Sequence, residues 1–232
     1  MGNYLCKHQR IKILFLGLEG GGKTSLVHHL KLGEVVSTLP TIGYHDDDVN
    51  IDGVEVNLQE PLNRGNPSFI LKHWFYGTNG FAFVIDSTRE SEFQEAFDEF
   101  FNVLYYTPYG VFPDGTGILP EYQNRDAVFM VIANKQDLPG AKSAQEIEDY
   151  LLKRTSKRNQ DSILVVPCNA LDVQQVSQIF TFFTHLICLN LAGKLKRGFI
   201  TLKEQKEMEE KWKESTLNIL FKNPLDYMRS LF

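Results

Sequence analysis

The sequence has few cysteines, no excess of basic charge and no long hydrophobic run. Its three cysteines, Cys6, Cys168 and Cys188, are scattered over 232 residues. That spacing excludes a disulfide framework or a cysteine-based zinc site and favours a reducing compartment. The formal net charge of −5 gives no support for nucleic-acid binding, which needs a clustered basic surface. The apolar stretches have the length of strands, not of membrane-spanning helices.

The chain does contain enough apolar material to fill one core, since hydrophobic residues make up 43% of its 232 residues. Apolar runs predict strands at residues 11–17, 44–51, 54–60, 81–86, 127–133 and 162–167, and helical periodicity predicts helices at residues 22–32, 91–104, 143–153 and 173–189. Asp52 and Gly53 signal a hairpin between the second and third strands. This order predicts an α/β fold with a mostly parallel six-stranded sheet, one antiparallel edge strand and helices on both faces.

The first predicted strand runs directly into a phosphate-binding pattern. Residues 17–24 read Gly-Leu-Glu-Gly-Gly-Gly-Lys-Thr. The glycines let the backbone turn with its N–H groups inward, Lys23 reaches the β- and γ-phosphates, and the Thr24 hydroxyl ligates Mg²⁺. The helix that follows adds its positive N-terminal end. The predicted phosphate-binding residues are Gly17, Glu19, Gly20, Gly21, Gly22, Lys23, Thr24 and Ser25. A chance glycine-rich turn is the alternative, and the strand and helix on either side argue against it.

A guanine-binding pattern follows the fifth predicted strand. Residues 134–137 read Asn-Lys-Gln-Asp. The Asp137 carboxylate at a strand end can accept hydrogen bonds from N1–H and the 2-amino group of guanine, whereas adenine would leave it unpaired. Asn134 can brace the loop, and the stem of Lys135 can lie across the base. The expected ligand is therefore GTP or GDP, together with Mg²⁺.

Together these segments resemble the Arf/Arl family of small GTPases, over about residues 11–189. The phosphate loop is similar to the family's Gly-Leu-Asp-Ala-Ala-Gly-Lys-Thr. Residues 39–44 resemble its switch I sequence, and residues 83–87 and 133–139 are also family-like. The resemblance implies the fold of a P-loop small G domain. The Asn-Lys-Gln-Asp pattern and the switch I match disfavour another class of protein, a P-loop kinase.

The resemblance also assigns residues outside the two main motifs. Thr41 corresponds to the switch I threonine that closes onto Mg²⁺ and the γ-phosphate, although a strand-edge residue is the alternative. Cys168, Asn169 and Ala170 stand in the place of the family's base-contacting loop.

The switch II sequence departs from the family. Counting forward from Tyr44 and back from Asp86 places the family's Trp-Asp-Val-Gly-Gly-Gln on residues 59–64. Glu60 then replaces the aspartate that acts on Mg²⁺ indirectly, Asn63 replaces the glycine that meets the γ-phosphate, and Arg64 replaces the glutamine that orients water. No catalytic residue is assigned, and we predict slow or absent GTP hydrolysis. There are two alternatives for Arg64. It could act as an internal arginine finger that supports hydrolysis, or it could be a solvated surface residue.

The N-terminal segment, residues 1–10, has weak lipid-anchoring signals. Gly2 is a candidate for myristoylation, although Cys6 stands where Ser or Thr is preferred, and Cys6 itself can be acylated. Few apolar residues precede the first strand, so peripheral membrane contact would be weak even with one acyl chain. We expect the protein to lie on the cytoplasmic side or in a reducing compartment, either at the periphery of a membrane or as part of an organellar complex.

Two further regions extend an expected G domain of residues 11–190. Residues 105–124 are predicted to form a long, aromatic-rich loop, and residues 191–232 a helical extension, with a capping box at Thr201 and Glu204. Residues 105–124 and 201–232 are the expected protein-binding segments, although the extension could instead pack on its own domain. The sequence favours a hydrolysis-impaired pseudo-GTPase that serves as a structural subunit. The alternative is a GTP/GDP switch that recruits effectors in membrane traffic or a related pathway.

Overall fold

A computed structural model describes residues 10–33, 44–61, 74–109, 127–154 and 164–191. Several sequence predictions fall outside these ranges: Gly2, Cys6, Thr41, Asn63, Arg64, residues 110–124 of the predicted loop and residues 192–232.

The described elements alternate between strands and helices along the chain. The strands are β1 (Ile11–Leu16), β2 (His45–Ile51), β3 (Val54–Glu60), β4 (Gly80–Asp86), β5 (Val128–Asn134) and β6 (Leu164–Pro167). The helices are α1 (Lys23–Leu32), α2 (Phe93–Tyr109), α3 (Ala144–Arg154) and α4 (Val173–Leu191), with a short 3₁₀ turn at Glu90–Glu92. Within the described ranges no helix is long and apolar enough to cross a membrane.

The six strands form one sheet in the order β2-β3-β1-β4-β5-β6. Strand β1 is central and parallel to both neighbours, with Ile13 opposite Leu58 of β3 and Gly80 of β4. Only β2 is antiparallel, because it is joined to β3 by the turn at Asp52 and Gly53. The predicted parallel sheet with one antiparallel edge strand is confirmed. The carboxyl ends of β1, β3, β4, β5 and β6 therefore meet at one edge.

Helices cover both faces of the sheet, as predicted. On one face, α1 and α4 pack on β1, and Phe180 stacks on Phe15 with ring centroids 5.3 Å apart. On the other face, α2 and α3 bury a second cluster that includes Phe83 and Phe100, whose centroids are also 5.3 Å apart. The sheet is thus buried on both sides, which explains why β4 and β5 are buried along their whole length and apolar up to their last residues, Asp86 and Asn134.

One predicted boundary is wrong. The loop expected at residues 105–124 begins later, because α2 continues to Tyr109. Once a helix is nucleated, each added residue gains a backbone hydrogen bond, and Pro108 near the C-terminal end removes only one such bond. The other element ends that the structure describes lie within two residues of the prediction.

Candidate functional site

The phosphate loop connects β1 to α1 and is pressed against two neighbouring strands. Gly17, Gly20 and Gly22 have φ values of 120°, 78° and 101°, which residues other than glycine rarely adopt. A Cβ on Gly17 would lie 2.2 Å from the carbonyl oxygen of Val84 in β4, and one on Gly22 would lie 2.3 Å from Nδ2 of Asn134 in β5. The close approach of the loop to both strands therefore requires glycine at these two positions.

Lys23, the first residue of α1, is folded over this loop. Its Nζ donates hydrogen bonds to the carbonyl oxygens of Gly17 at 2.7 Å and Leu18 at 2.8 Å. Burial lowers the pKa of the Lys23 ammonium, and the nearby Glu60 carboxylate partly opposes that shift. The ammonium is thus held at the loop where we expect the nucleotide phosphates.

The end of β3 contacts the start of α1 through one hydrogen bond. The Thr24 hydroxyl donates to Oε1 of Glu60 at 2.9 Å, and Glu60 is buried. Its other oxygen, Oε2, is buried and has no hydrogen-bond partner among the described residues. Burial raises the pKa of the Glu60 carboxyl, while Lys23 and Thr24 oppose the rise. A buried, incompletely satisfied carboxylate indicates a place for a cation.

These groups fit Mg²⁺ as it is held beside nucleotides. Mg²⁺ uses few protein oxygens and takes its remaining ligands from phosphates and water. The Thr24 hydroxyl donates its proton to Glu60, so its oxygen is oriented as an acceptor, the kind of ligand that Mg²⁺ takes. No set of three His, Cys, Asp or Glu side chains in the described ranges forms a metal cage by itself. Thr24 would hold the ion, and Glu60 would orient Thr24 and add negative charge.

Asn134, at the end of β5, joins the phosphate loop to the loop after β6. Its Nδ2 donates to the carbonyl oxygen of Gly21 at 2.8 Å, and its Oδ1 accepts from the backbone N–H of Ala170 at 3.0 Å. The side chain is only 1% exposed. One buried amide therefore fixes the distance between the two loops, which is the bracing role expected for this residue.

The next residues of the guanine pattern are fixed by the end of β4. Lys135 has a φ of 64°, and its Nζ lies 2.6 Å from Oδ2 of Asp86. Burial opposes a low pKa for Asp86, but hydrogen bonds from Lys135 and Thr88 hold that pKa below its usual range. Gln136 donates through Nε2 to Oγ of Ser87 at 2.9 Å and to the carbonyl oxygen of Lys142 at 2.8 Å.

Asp137 is exposed, and its carboxylate accepts no hydrogen bond from any described residue. Among the described residues, it is the one member of the Asn-Lys-Gln-Asp pattern whose side chain makes no hydrogen bond within the protein. This is what a group that recognises a ligand requires.

Residues 168–170 build the other side of the base loop. Cys168 is buried, and burial raises the pKa of its thiol to about 12, so it is an unreactive packing residue. Its backbone N–H donates to Ala133 at 2.9 Å, and its carbonyl oxygen accepts from Gln136 at 3.1 Å. The Asn169 side chain accepts from the N–H of Leu171 at 2.9 Å and shapes the turn.

The structure brings the described predicted residues to one edge of the sheet. The sequence prediction missed the contributions of Asp86, Ser87 and Gln136 to this edge. The available signal was Asp-Ser at the end of a buried strand, because the carboxyl ends of adjacent parallel strands meet.

A doubly covered parallel sheet with a glycine-rich loop between β1 and α1 defines a P-loop nucleotide-binding domain. A comparison with protein families matches residues 1–108 and 115–187 to the ADP-ribosylation factor (Arf) family. The chain therefore belongs to the Arf family and is an Arf/Arl-type GTP-binding protein.

A solved structure supports the fold. The Arl6 BBS3 small GTPase from Trypanosoma brucei, determined with the bound nucleotide analogue GppNp, superposes with a TM-score of 0.60 at 18% sequence identity. The match covers 77% of this chain and 98% of that chain.

Proposed function

We propose that this Arf-family protein binds GTP, hydrolyses it slowly or not at all, and serves as a structural or scaffolding subunit of a larger assembly. The observation that carries this proposal is the end of β3. Glu60 bonds directly to Thr24, and the next residue is Pro61, which is buried and has no backbone N–H.

The sequence after Pro61 supports the same conclusion. GTP hydrolysis depends on orienting water and stabilising charge at the γ-phosphate. Asn63 and Arg64 stand where a glycine N–H and a glutamine amide would do this work. The contacts of Lys23, Thr24 and Asn134 support nucleotide binding, so we expect binding without efficient hydrolysis.

The remaining site assignments are part of this proposal. Mg²⁺ is held by Thr24 and Thr41, with Glu60 acting through Thr24 or water. Asp137, Lys135 and the loop of residues 168–170 hold the guanine base. Protein partners bind through residues 105–124 and 201–232. Myristoylation at Gly2 would give weak peripheral membrane contact in a reducing compartment.

A second candidate is a GTP/GDP switch that recruits effectors, and one observation favours it. Tyr44 and Trp74 contact each other with ring centroids 5.4 Å apart, and Tyr44 is 64% exposed. Tyr44 is the last residue of the sequence that resembles switch I, and Trp74 follows residues 62–73. A nucleotide-dependent change in either stretch would alter the contact between exposed Tyr44 and partly buried Trp74, and aromatic residues are common in interfaces.

The test begins with the nucleotide content of the purified full chain. We expect GTP to be released on denaturation, and single-turnover hydrolysis to be slow. The double variant Asn63→Gly/Arg64→Gln restores the backbone N–H geometry and the water-orienting amide. It should raise the hydrolysis rate by about 100-fold, the lower range for a positioned catalytic group. Arg154→Gln is the matched control, because Arg154 lies on α3 and pairs with Asp98.

The outcomes separate the two candidates. Bound GDP with fast hydrolysis by the unmodified protein would support the switch and overturn the impaired-enzyme proposal. A protein without measurable affinity for guanine nucleotides would overturn both. An equal rate for the double variant and the Arg154→Gln control would show that residues 63 and 64 do not limit hydrolysis.

A further inference from the structure

Arg89 lies against the phosphate loop, although it belongs to neither motif. It follows β4 and precedes the 3₁₀ turn. A Cβ placed on Gly20 would lie 3.2 Å from Nη2 of Arg89, 3.4 Å from Nη1 and 3.6 Å from Cζ. These similar distances show that the guanidinium lies across Gly20. Because Gly20 has no side chain, the guanidinium of Arg89 can pack directly on the backbone of the loop.

Two carboxylates contact two of the three nitrogens of this guanidinium. Nε lies 3.2 Å from Oδ2 of Asp86, and Nη1 donates to Oε1 of Glu92 at 3.2 Å. The backbone of Arg89 is fixed as well, because its N–H donates to Asp86 at 3.2 Å and its carbonyl oxygen accepts from Glu92 at 2.9 Å. Nη2, the nitrogen nearest to Gly20, has no hydrogen-bond partner among the described residues. The unpaired nitrogen of the guanidinium thus faces the loop.

The surrounding charges leave Arg89 able to bind an anion. Asp86 is shared between Arg89 and Lys135, whose Nζ lies 2.6 Å from it. The two carboxylates, Asp86 and Glu92, are therefore balanced by two cations. A nucleotide adds several negative charges over Gly20, and a guanidinium fork matches phosphate oxygens better than a point charge does.

We propose that Arg89 is an additional phosphate ligand of the nucleotide site: its Nη2 donates to a phosphate oxygen above Gly20. Arg89 then retains the nucleotide together with Lys23, from outside the glycine-rich loop. This inference rests on the proposed nucleotide binding and adds to it a residue that the motif does not contain.

The test compares GDP with guanosine, which lacks phosphate, on the full chain. Arg89→Ala should weaken GDP binding about 10- to 100-fold, the usual range for a lost hydrogen bond to a charged group. It should leave guanosine binding, measured by competition with a fluorescent GDP analogue, unchanged. Arg89→Gln, which keeps much of the side-chain volume, should weaken GDP binding similarly. Arg154→Ala is the matched control, because it removes an arginine paired with Asp98 away from the loop.

Salt dependence gives a readout that loss of a structural contact would not change. Screening weakens ionic contacts, so GDP affinity should fall less steeply with salt in Arg89→Ala than in the unmodified protein. The melting temperatures of the nucleotide-free variants establish that they fold. If Arg89→Ala does not fold, Arg89→Gln carries the comparison.

Two results would overturn the proposal while leaving nucleotide binding intact. One is unchanged GDP affinity in both Arg89 variants. The other is an equal loss for GDP and guanosine, which would mean that Arg89 acts only on the base loop through Asp86 and Lys135. If the unmodified protein fails to bind GDP, the proposed function fails, and the role of Arg89 fails with it.

Discussion

The ends of β5 and β3 lie on opposite sides of β1 and its phosphate loop in the sheet order, and they differ in how their polar groups are satisfied. At the end of β5, Asn134 and Gln136 use their side-chain amides to tie neighbouring segments together. At the end of β3, Oε1 of Glu60 accepts a hydrogen bond from Thr24, and its second carboxylate oxygen is buried without a hydrogen-bond partner among the described residues.

This difference separates a preformed half of the site from a half that needs its ligand. Buried polar groups are normally paired, so we expect the β5 end to keep its shape without nucleotide. The unsatisfied oxygen of Glu60 carries a cost that a metal ion with its waters would remove. We therefore expect base recognition to depend on the protein alone, and the chemistry at the phosphate end to depend on Mg²⁺.

The largest effect is expected from a change at Asp137, the residue near the β5 end that we assign to recognition of the guanine base. Asp137→Asn would place an NH₂ donor opposite the N1–H and 2-amino donors of guanine. GDP affinity should fall on the order of 10⁴-fold, as for a site whose polar partner is mismatched. Xanthosine diphosphate, which has an oxygen at C2, should bind better than GDP. Nucleotide competition measures both.

Asp149→Asn on the exposed surface of α3 is the matched control for this change, and it should bind GDP as the unmodified protein does. Unchanged preference for GDP in Asp137→Asn would contradict the assignment of base recognition to this carboxylate.

A second change attacks the rigidity of the β5 end. Asn134→Ala leaves the carbonyl oxygen of Gly21 and the N–H of Ala170 without a side-chain partner. Each buried unpaired group costs about 1–3 kcal/mol, so with two such groups the free energy of unfolding should fall by about 2–6 kcal/mol even without nucleotide. Urea unfolding of the nucleotide-free protein measures it.

The control for Asn134 is Asn50→Ala at the β2–β3 turn. Asn50 also accepts a backbone hydrogen bond, from Gly53 at 2.9 Å, but in an exposed position, and its loss should cost about 1 kcal/mol or less. Equal losses for the two variants would show that Asn134 is not a brace.

A third change tests whether the end of β3 takes part in binding Mg²⁺. Glu60→Gln keeps the length of the side chain and an oxygen that can accept from Thr24, but removes the charge. Groups that orient a metal ligand typically contribute 10- to 100-fold in metal affinity. We expect about that loss in the Mg²⁺ concentration dependence of GDP retention, measured by chelator-induced release of a fluorescent GDP analogue.

Glu55→Gln lies on the same strand with an exposed side chain and should leave Mg²⁺ dependence unchanged. If Glu60→Gln also retains normal Mg²⁺ dependence, the carboxylate is not part of the metal site, and the β3 end has a purely structural role.

The sequence predicted the parts of the fold that local signals determine. The turn at Asp52 and Gly53 fixed the register of the hairpin, and β3 has the predicted ends. The end of α2 was missed, because Pro108 lies near the end of the helix and removes only one backbone hydrogen bond there. The motif residues could be named from their spacing.

The contacts between segments could not be predicted from spacing. Arg89 reaches Gly20 only because β4 packs beside β1, and no local pattern marks it. The same holds for Asp86, which binds Lys135 across 49 positions of the chain. The double hydrogen bond of Asn134 likewise depends on how three loops meet in the fold.

The smallest expected effect lies away from both ends of the site. His185 on α4 is buried, with Nε2 3.0 Å from Oδ2 of Asp52 in the β2–β3 turn. Burial lowers the pKa of His185, and Asp52 opposes the shift. The unfolded chain therefore binds a proton more readily below about pH 6.5. The free energy of unfolding should fall as the pH drops from 7 towards 5, by at most about 1.4 kcal/mol per pH unit.

His185→Gln should remove this slope, and His45→Gln at the other end of β2 is the control that should retain it. Urea unfolding between pH 5 and 8 measures both. Asp52→Asn removes the anion that favours the charged imidazole, so the slope should extend to lower pH. Because the pair lies at the turn and the nucleotide edge lies at the other end of β3, GDP affinity should not change in His185→Gln. An identical slope in His185→Gln and the unmodified protein would assign the pH dependence to other groups.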